Sequence, residues 1–218
     1  MAGPRLHLDA TVRGFDGLDA IPFLLEDVRV LPERADLEAH KAEVLARVRA
    51  SYTLESVKDV PELRAYRDFF WRVGIDPTKT RPAAEALIRR ILGGKPFPRI
   101  NTLVDAYNLA SVETRIALAA FDAAQLHGDL VMRLARPGEA FAGIGMDKPA
   151  ILTGREVVDA DDAGLIAIYP HRDSARTAVT TATRATVFLV CGVPGIPRET
   201  LLRAQAATRD LVLRFCGP

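Results

Sequence analysis

The stretch that decides the fold is YRDFFWRVGIDPTKTRPAAEALIRRILGGKPFPRINTLVDAYNLASVETRIALAAFD, which spans residues 66–122. Three helical patterns run through or into this stretch, and proline or glycine separates each pattern from the next. The spacing predicts a first helix from Pro61 to Val73, a second from Pro82 to Leu92 and a third from Asn101 to about Ala110. After Asp122 the helical period gives way to short apolar runs that are typical of strands.

The second half of the chain predicts a sheet. Strands are expected at residues 129–134, 156–158, 165–169, 178–183 and 186–190. A last helix is predicted from Pro197 to Phe215, with the proline in its first turn. Because helices come first and strands later, we expect an α+β fold in which three helices within 61–112 pack on a mostly antiparallel sheet built mainly from 117–191.

The first part of the chain has weaker signals. Residues 1–60 are interpreted as a strand and helix lead-in that belongs to the same globule as residues 61–218. An opening strand is expected at 6–8 and 11–12, a further apolar strand at 23–30, and a helix from Asp36 onward. No functional residue is predicted in this region.

The charge distribution is uneven although the net charge is only +1. Residues 61–100 carry nine basic and four acidic side chains, which favours a surface that contacts phosphates. The alternative is an ordinary solvated set of helix faces, paired with Glu62, Asp68 and Glu85. The candidate RNA-binding residues are Arg67, Arg72, Lys79, Arg81, Arg89, Arg90 and Arg99.

Several classes of protein are disfavoured by the sequence. No run of about 18 apolar residues occurs, so we expect a cytoplasmic protein without a membrane partner. The four histidines show no HxxxH or HExxH spacing, and neither a metal nor another cofactor is expected. Cys191 ends the apolar run 187–190 and is predicted to be a buried strand thiol.

The third predicted helix carries short polar side chains in register. At 3.6 residues per turn, Asn101, Asp105 and Asn108 fall within roughly 60° of one another. They are interpreted either as a cap with solvent-facing or loop-binding neighbours, or as a face that binds a ligand.

Several spaced motifs carry a family resemblance. They are Ile100-Asn101, Val104-Asp105 and Asn108, then Ala120-Phe121-Asp122, Arg133 and Gly138-Glu139. Over roughly residues 60–216 the chain resembles the tRNA-editing B3/B4 domain of the phenylalanyl-tRNA synthetase beta subunit, and more closely the stand-alone B3/B4-domain proteins. The resemblance implies a layered β-sandwich with packed helices, and tRNA or aminoacyl-tRNA as the partner, with no DNA expected. If the protein is an enzyme, the resemblance implies an aminoacyl-tRNA ester hydrolase.

The chain departs from that family at two places. The editing domains hold a histidine directly before the Ala-Phe-Asp motif, where this chain has Ala119. The family's double-glycine turn with its acidic residue falls on 170–173, with sequence PHRD. His171 and Asp173 are therefore the catalytic candidates, whereas the substrate-binding candidates are Asn101, Asp105, Asn108 and Arg172. We expect Asp105, Asn108 and 171–173 to line one cavity beside the strand of Ala119.

Three functional hypotheses follow. In the first, the protein is a B3/B4 module that binds RNA or an aminoacyl group and has lost hydrolysis, as Ala119 suggests. In the second, it is a free-standing editing hydrolase that acts on a mischarged tRNA, with His171 or Asp173 orienting the water. In the third, the cavity binds an unrelated small molecule.

Overall fold

The computed structural model describes residues 3–218, which form five α-helices and ten strands. The helices are α1 (Ala35–Ser51), α2 (Pro61–Arg72), α3 (Ala83–Leu92), α4 (Thr102–Thr114) and α5 (Arg198–Cys216). The strands are β1 (Leu6–Leu8), β2 (Asp19–Leu25), β3 (Ala117–Asp122), β4 (Leu130–Leu134), β5 (Ala140–Phe141), β6 (Ala150–Ile151), β7 (Val157–Asp161), β8 (Gly164–Ile168), β9 (Arg172–Asp173) and β10 (Thr186–Gly192).

The strands form two principal sheets and one short hairpin. The larger sheet has the order β1-β4-β7-β8-β9, the smaller has the order β2-β10-β3, and β5 pairs with β6. Only the pairing of β1 with β4 is parallel among the strands of the described chain. The predicted α+β class with mostly antiparallel strands is confirmed.

The three helices predicted within residues 61–112 are confirmed, and their ends follow the expected signals. Pro61 occupies the first turn of α2, and Gly74 behind it adopts a φ of 77°, which favours glycine. The side chain of Asn101 caps α4 by accepting a hydrogen bond from the Val104 amide at 2.9 Å. The final helix is confirmed as α5.

One expectation about the sheet was wrong. Residues 117–191 do not form a single sheet, because β3 and β10 belong to the smaller sheet and β4 to β9 belong to the larger sheet and the hairpin. The lead-in also contributes a strand to each sheet, since β1 pairs with β4 and β2 pairs with the whole length of β10. The hydrophobic period identifies strands but not their partners, so the single sheet expected from it was wrong, whereas the layered β-sandwich that the resemblance implies has more than one sheet.

Two local side-chain hydrogen bonds and one residue with a positive φ explain three wrong strand boundaries. Thr11 and Val12 lie in a 3₁₀ turn, because the Asp9 carboxylate accepts from the Thr11 amide at 2.8 Å. Residues 178–183 form a turn instead of a strand, since the Thr183 hydroxyl accepts from the Thr180 amide at 3.0 Å. The strand expected at 23–30 begins earlier and ends at Leu25, before Asp27 with a φ of 58°.

The core is centred on β10, all seven residues of which are buried. This strand lies between β2 and β3, and α5 packs against both β10 and β2. Cys191 is buried in β10, as predicted. Within residues 3–218, no helix combines the length and the apolar composition that crossing a bilayer requires.

The hydroxyl of Tyr66 joins α2 to the smaller sheet. It donates to the Cys191 carbonyl and accepts from the Ala117 amide at 3.0 Å, and the tyrosine is fully buried. We expect Tyr66→Phe to lower the free energy of unfolding by about 1–3 kcal/mol, because two buried backbone groups lose their partner. Urea unfolding followed by circular dichroism measures this, and equal stability of variant and wild type would contradict it.

Candidate functional site

A cavity of about 130 Å³ lies where the two sheets approach each other beneath α3 and α4. The smaller sheet contributes residues of β3 and β10 to its wall, and the larger sheet contributes residues of β7, β8 and β9. The lining residues are Ala83, Tyr107, Asn108, Leu118, Ala119, Asp159, Ala167, Ile168, Tyr169, Pro170, His171, Arg172, Asp173 and Cys191.

Two carboxyl groups face this cavity. Asp173 accepts from the Ala120 amide at 3.5 Å, and burial raises the pKa of its carboxyl to about 7. Asp159 is 0% exposed, and burial, aided by the charge of Asp173, raises its pKa well above the usual range. Both carboxyls of the cavity therefore hold a proton more strongly than an exposed aspartate does.

The turn before β9 supplies the other polar groups. Burial, with a smaller contribution from Arg172, lowers the pKa of His171 to about 4, so that its imidazole is neutral at pH 7. The His171 ring meets the ring of Phe70 edge to face, with 6.2 Å between their centroids. The Arg172 guanidinium donates to the carbonyl of Ile144 at 2.8 Å, which directs its charge to the rim.

The structure brings together most of the predicted site residues. Asn108, His171, Arg172 and Asp173 line one cavity, with Ala119 beside them. The hydrogen-bonding roles expected of them toward a ligand remain predictions.

Two predicted site residues lie outside this cavity, and for Asp105 the expectation of a shared cavity was wrong. Its carboxylate accepts from the Lys41 ammonium at 2.8 Å and from the Ile100 amide at 3.0 Å. The Asn101 side chain caps α4 through its oxygen, and its amide nitrogen donates to the Val179 carbonyl at 3.4 Å. The polar stripe is thus divided between structural contacts and the cavity.

The sequence reasoning missed Asp159, the most deeply buried acid of the cavity. The available signal was an aspartate in the middle of VVDAD, because aspartate is depleted in strands and all five residues of β7 are buried. Tyr107 and Cys191 were assigned only to the core, yet both also contribute to the cavity wall.

A second concave surface, which we call the basic groove, has a volume of about 570 Å³. Its five cationic residues are Lys79, Arg81, Arg89, Arg90 and Lys95, and its other lining residues are Ala83, Ala86, Leu87, Pro98 and Asn108. Four of the seven candidate RNA-binding residues therefore share one groove.

The remaining three candidates lie outside the lining of the basic groove. Arg67 binds the carboxylate of Glu85 at 3.1 Å, and Arg72 lies over the Phe15 ring, 5.1 Å from its centroid. Arg99 pairs with Glu33 at 3.1 Å. Their expected contacts with RNA remain predictions.

Glu85 organises the base of the basic groove. This carboxylate is 0% exposed and accepts from Arg67 and, at 2.6 Å, from Nε of Arg89, while Arg81 lies 4.0 Å away. These arginines thus form ion pairs with an acid of a helix face, as the alternative interpretation expected. Each guanidinium has five N–H groups, and those that do not bind Glu85 can still contact a phosphate. Lys79 is different, because its side chain is 84% exposed.

The cavity and the basic groove meet. Ala83 at the start of α3 and Asn108 on α4 line both of them. A ligand can therefore place an anionic part in the groove and a small group in the cavity at the same time.

Comparison with known proteins supplies the family context. A family described as "B3/4 domain" matches residues 65–216. The phenylalanine–tRNA ligase beta subunit of Nocardia farcinica (strain IFM 10152) is 38% identical over 110 residues, which is 50% of this chain and 13% of that protein. The beta subunit of Neisseria gonorrhoeae (strain ATCC 700825 / FA 1090) is 27% identical over 192 residues, which is 81% of this chain and 24% of that protein.

The chain thus spans about a quarter or less of the length of these two relatives. An N-terminal fragment of the phenylalanyl-tRNA synthetase beta subunit from Pyrococcus horikoshii superposes with a TM-score of 0.46 and 13% identity. That superposition covers 89% of this chain and 74% of the fragment.

The pKa of Asp173 predicts a pH-dependent stability. Because burial raises this pKa to about 7, the folded protein binds a proton that the unfolded chain has released above about pH 4. The free energy of unfolding should therefore fall as the pH rises from 4 to 7. Asp173→Asn should remove part of this fall. The free energy of unfolding of the variant minus that of the wild type should therefore increase by on the order of 2 kcal/mol between pH 4 and pH 8.

Urea unfolding at several pH values measures this difference. The matched control is Asp162→Asn, which makes the same substitution at an exposed residue of the neighbouring hairpin. Parallel pH profiles for wild type and Asp173→Asn would contradict the expectation.

Proposed function

The chain belongs to the B3/4 domain family, and on this premise we propose that it binds the aminoacylated 3′ end of a tRNA. In this proposal the basic groove holds the RNA backbone and the cavity holds the aminoacyl group. The relatives are subunits of phenylalanine–tRNA ligases, which join an amino acid to tRNA, and this favours a tRNA-related ligand.

The observation that carries the proposal is the continuity of the two concave surfaces. Ala83 and Asn108 line both, so a phosphate chain in the groove leads directly to the mouth of the cavity. Arginine and lysine side chains neutralise phosphates without reading sequence, as expected for binding to a single-stranded end. The cations of the groove supply this chemistry.

The size of the cavity suits a small group. A dry cavity of about 150 Å³ is sufficient to bind benzene, and this cavity measures about 130 Å³. It therefore accommodates an amino-acid moiety of modest size and excludes the nucleotides, which stay in the groove.

Binding without fast hydrolysis is the reading that the cavity favours. The resemblance places a histidine of the editing domains at the position of Ala119, and here a methyl group lines the cavity instead. His171 supplies a neutral imidazole from another loop, but burial lowers its pKa to about 4, far below the range that suits a general base at neutral pH.

One observation supports the alternative, a hydrolase that acts on aminoacyl-tRNA. Burial raises the pKa of Asp173 to about 7, and a carboxylate poised near the working pH is suited to take a proton from an attacking water. In that alternative the Asp173 carboxylate would orient the water, and Asn108 and backbone amides would contact the ester.

The groove is tested by the salt dependence of binding. We expect the double variant Lys79→Gln with Lys95→Gln to bind a tRNA that carries no amino acid more weakly than the wild type does. The slope of log K against log salt concentration should decrease in magnitude by about 1.4, since each cation contributes about 0.7 on a single strand. Both lysines are exposed, so the fold should be unaffected. Filter binding or fluorescence anisotropy at several salt concentrations measures the slope.

The matched control replaces two exposed arginines of α5, Arg203→Gln with Arg209→Gln, and should keep the wild-type slope. Absence of binding at low salt, or equal slopes for all three proteins, would remove the groove from the proposal.

Catalysis is tested by deacylation of Tyr-tRNA. We expect the wild-type protein to be slower than an editing domain of phenylalanyl-tRNA synthetase assayed beside it by about 10² to 10⁴, the usual effect of losing one acid-base group. Release of labelled tyrosine measures the rate. Comparable rates, abolished by Asp173→Ala, would establish the hydrolase alternative instead.

A further inference from the structure

Asp159 is a buried acid without a partner. It is 0% exposed, and neither of its carboxylate oxygens has a hydrogen-bond partner among the described residues. A buried polar group without a partner is costly, and natural proteins keep few of them outside functional sites. Since Asp159 lines the cavity, its free oxygens are available to a ligand there.

The register of the larger sheet brings a second carboxyl to the same face. Asp159 of β7 is paired with Ala167 of β8, and Ala167 is paired with Asp173 of β9. Residues directly opposite each other in neighbouring strands point to the same side of a sheet. Ala167 thus lies between the two carboxyls. Its side chain is only a methyl group, so a ligand group can fit between them.

No cation of the protein neutralises this pair. Within residues 3–218, Asp159 has no hydrogen-bond partner, Asp173 accepts only from the Ala120 amide, and the Arg172 guanidinium donates to the Ile144 carbonyl. The two tyrosines, the cysteine and the histidine of the wall stay uncharged at neutral pH, because burial raises the pKa of Tyr107, Tyr169 and Cys191 and lowers that of His171. Neither carboxyl of the cavity therefore has a charged partner among the described residues.

We propose that Asp159 and Asp173 together hold a protonated primary amine, the α-ammonium of the aminoacyl group, in the space above Ala167. This inference rests on the proposed function and specifies its ligand, an amino acid whose α-amine is free. An ammonium donates three hydrogen bonds and fits between two acceptors, whereas the described residues contain no group of three or more His, Cys, Asp or Glu side chains placed to hold a metal ion. N-acylated amino acids are excluded.

The test compares probes that differ in one functional group. L-Alaninamide carries the ammonium, L-lactamide replaces it with a hydroxyl, and N-acetyl-L-alaninamide blocks it. Titration by NMR at pH 6.5 should show that L-alaninamide binds at least tenfold more tightly than L-lactamide, with no binding of the acetylated probe.

Substitution identifies the acid responsible. Asp159→Asn should abolish the preference for the amine, while the matched control Asp162→Asn, on the same hairpin but exposed, should keep it. Thermal unfolding checks that both variants fold. Equal binding of the two wild-type probes, or a preference that survives Asp159→Asn, would overturn the inference.

A measurement on the wild-type protein avoids dependence on any variant. Because burial raises the pKa of both carboxyls, an ammonium that binds between them should displace protons from them, which calorimetry in two buffers of different ionisation enthalpy detects. An affinity for L-alaninamide that does not weaken as the pH falls from 7.5 to 5.5, across the pKa of Asp173, would contradict the ammonium assignment.

Different results would contradict the tRNA function and the amine site. If L-alaninamide binds through Asp159 but aminoacylated tRNA does not bind, the tRNA function is wrong and the amine site stands. If aminoacylated and N-acetyl-aminoacylated tRNA bind equally well, the function stands and the amine site is wrong.

Discussion

The hydroxyl of Tyr66 is the contact on which the arrangement of layers depends. It binds the Ala117 amide and the Cys191 carbonyl, two residues paired across β3 and β10, and so fixes α2 to the end of the smaller sheet. The next residue of α2, Arg67, reaches the buried Glu85 of α3. Since α3 lines both the cavity and the basic groove, this hydroxyl links the smaller sheet, through α2, to a helix that forms part of both surfaces.

The molecule separates its charges by depth. Cations line the open groove, where the buried Glu85 carboxylate accepts from Arg89 of the groove and from Arg67 outside its lining. Acids lie in the cavity, where burial raises the pKa of both carboxyls. Such a gradient suits a ligand that is anionic along its chain and cationic at its end, which is the charge pattern of an aminoacylated nucleic acid.

The helices and most strands were predictable because their signals are local. Pro61, Gly74 and Asn101 each act on the backbone within a few residues, and the family motifs placed residues 170–173 near α4. The site was only partly predictable, because its decisive contacts cross long distances in sequence. The partner of Asp105 is Lys41, on a helix of the lead-in, and the pairing of Asp159 with Asp173 depends on the register of three strands. No local pattern contains either fact.

The N-terminal strand β2 has a consequence for any shortened form of the protein. The family match begins at residue 65, yet β2 pairs with β10 along its entire length. A fragment that started at the family boundary would turn the most buried strand of the core into an open edge, with a row of unsatisfied amides and carbonyls. Such an edge is a template for aggregation or for exchange of strands between copies, so the family boundary does not mark an autonomous folding unit.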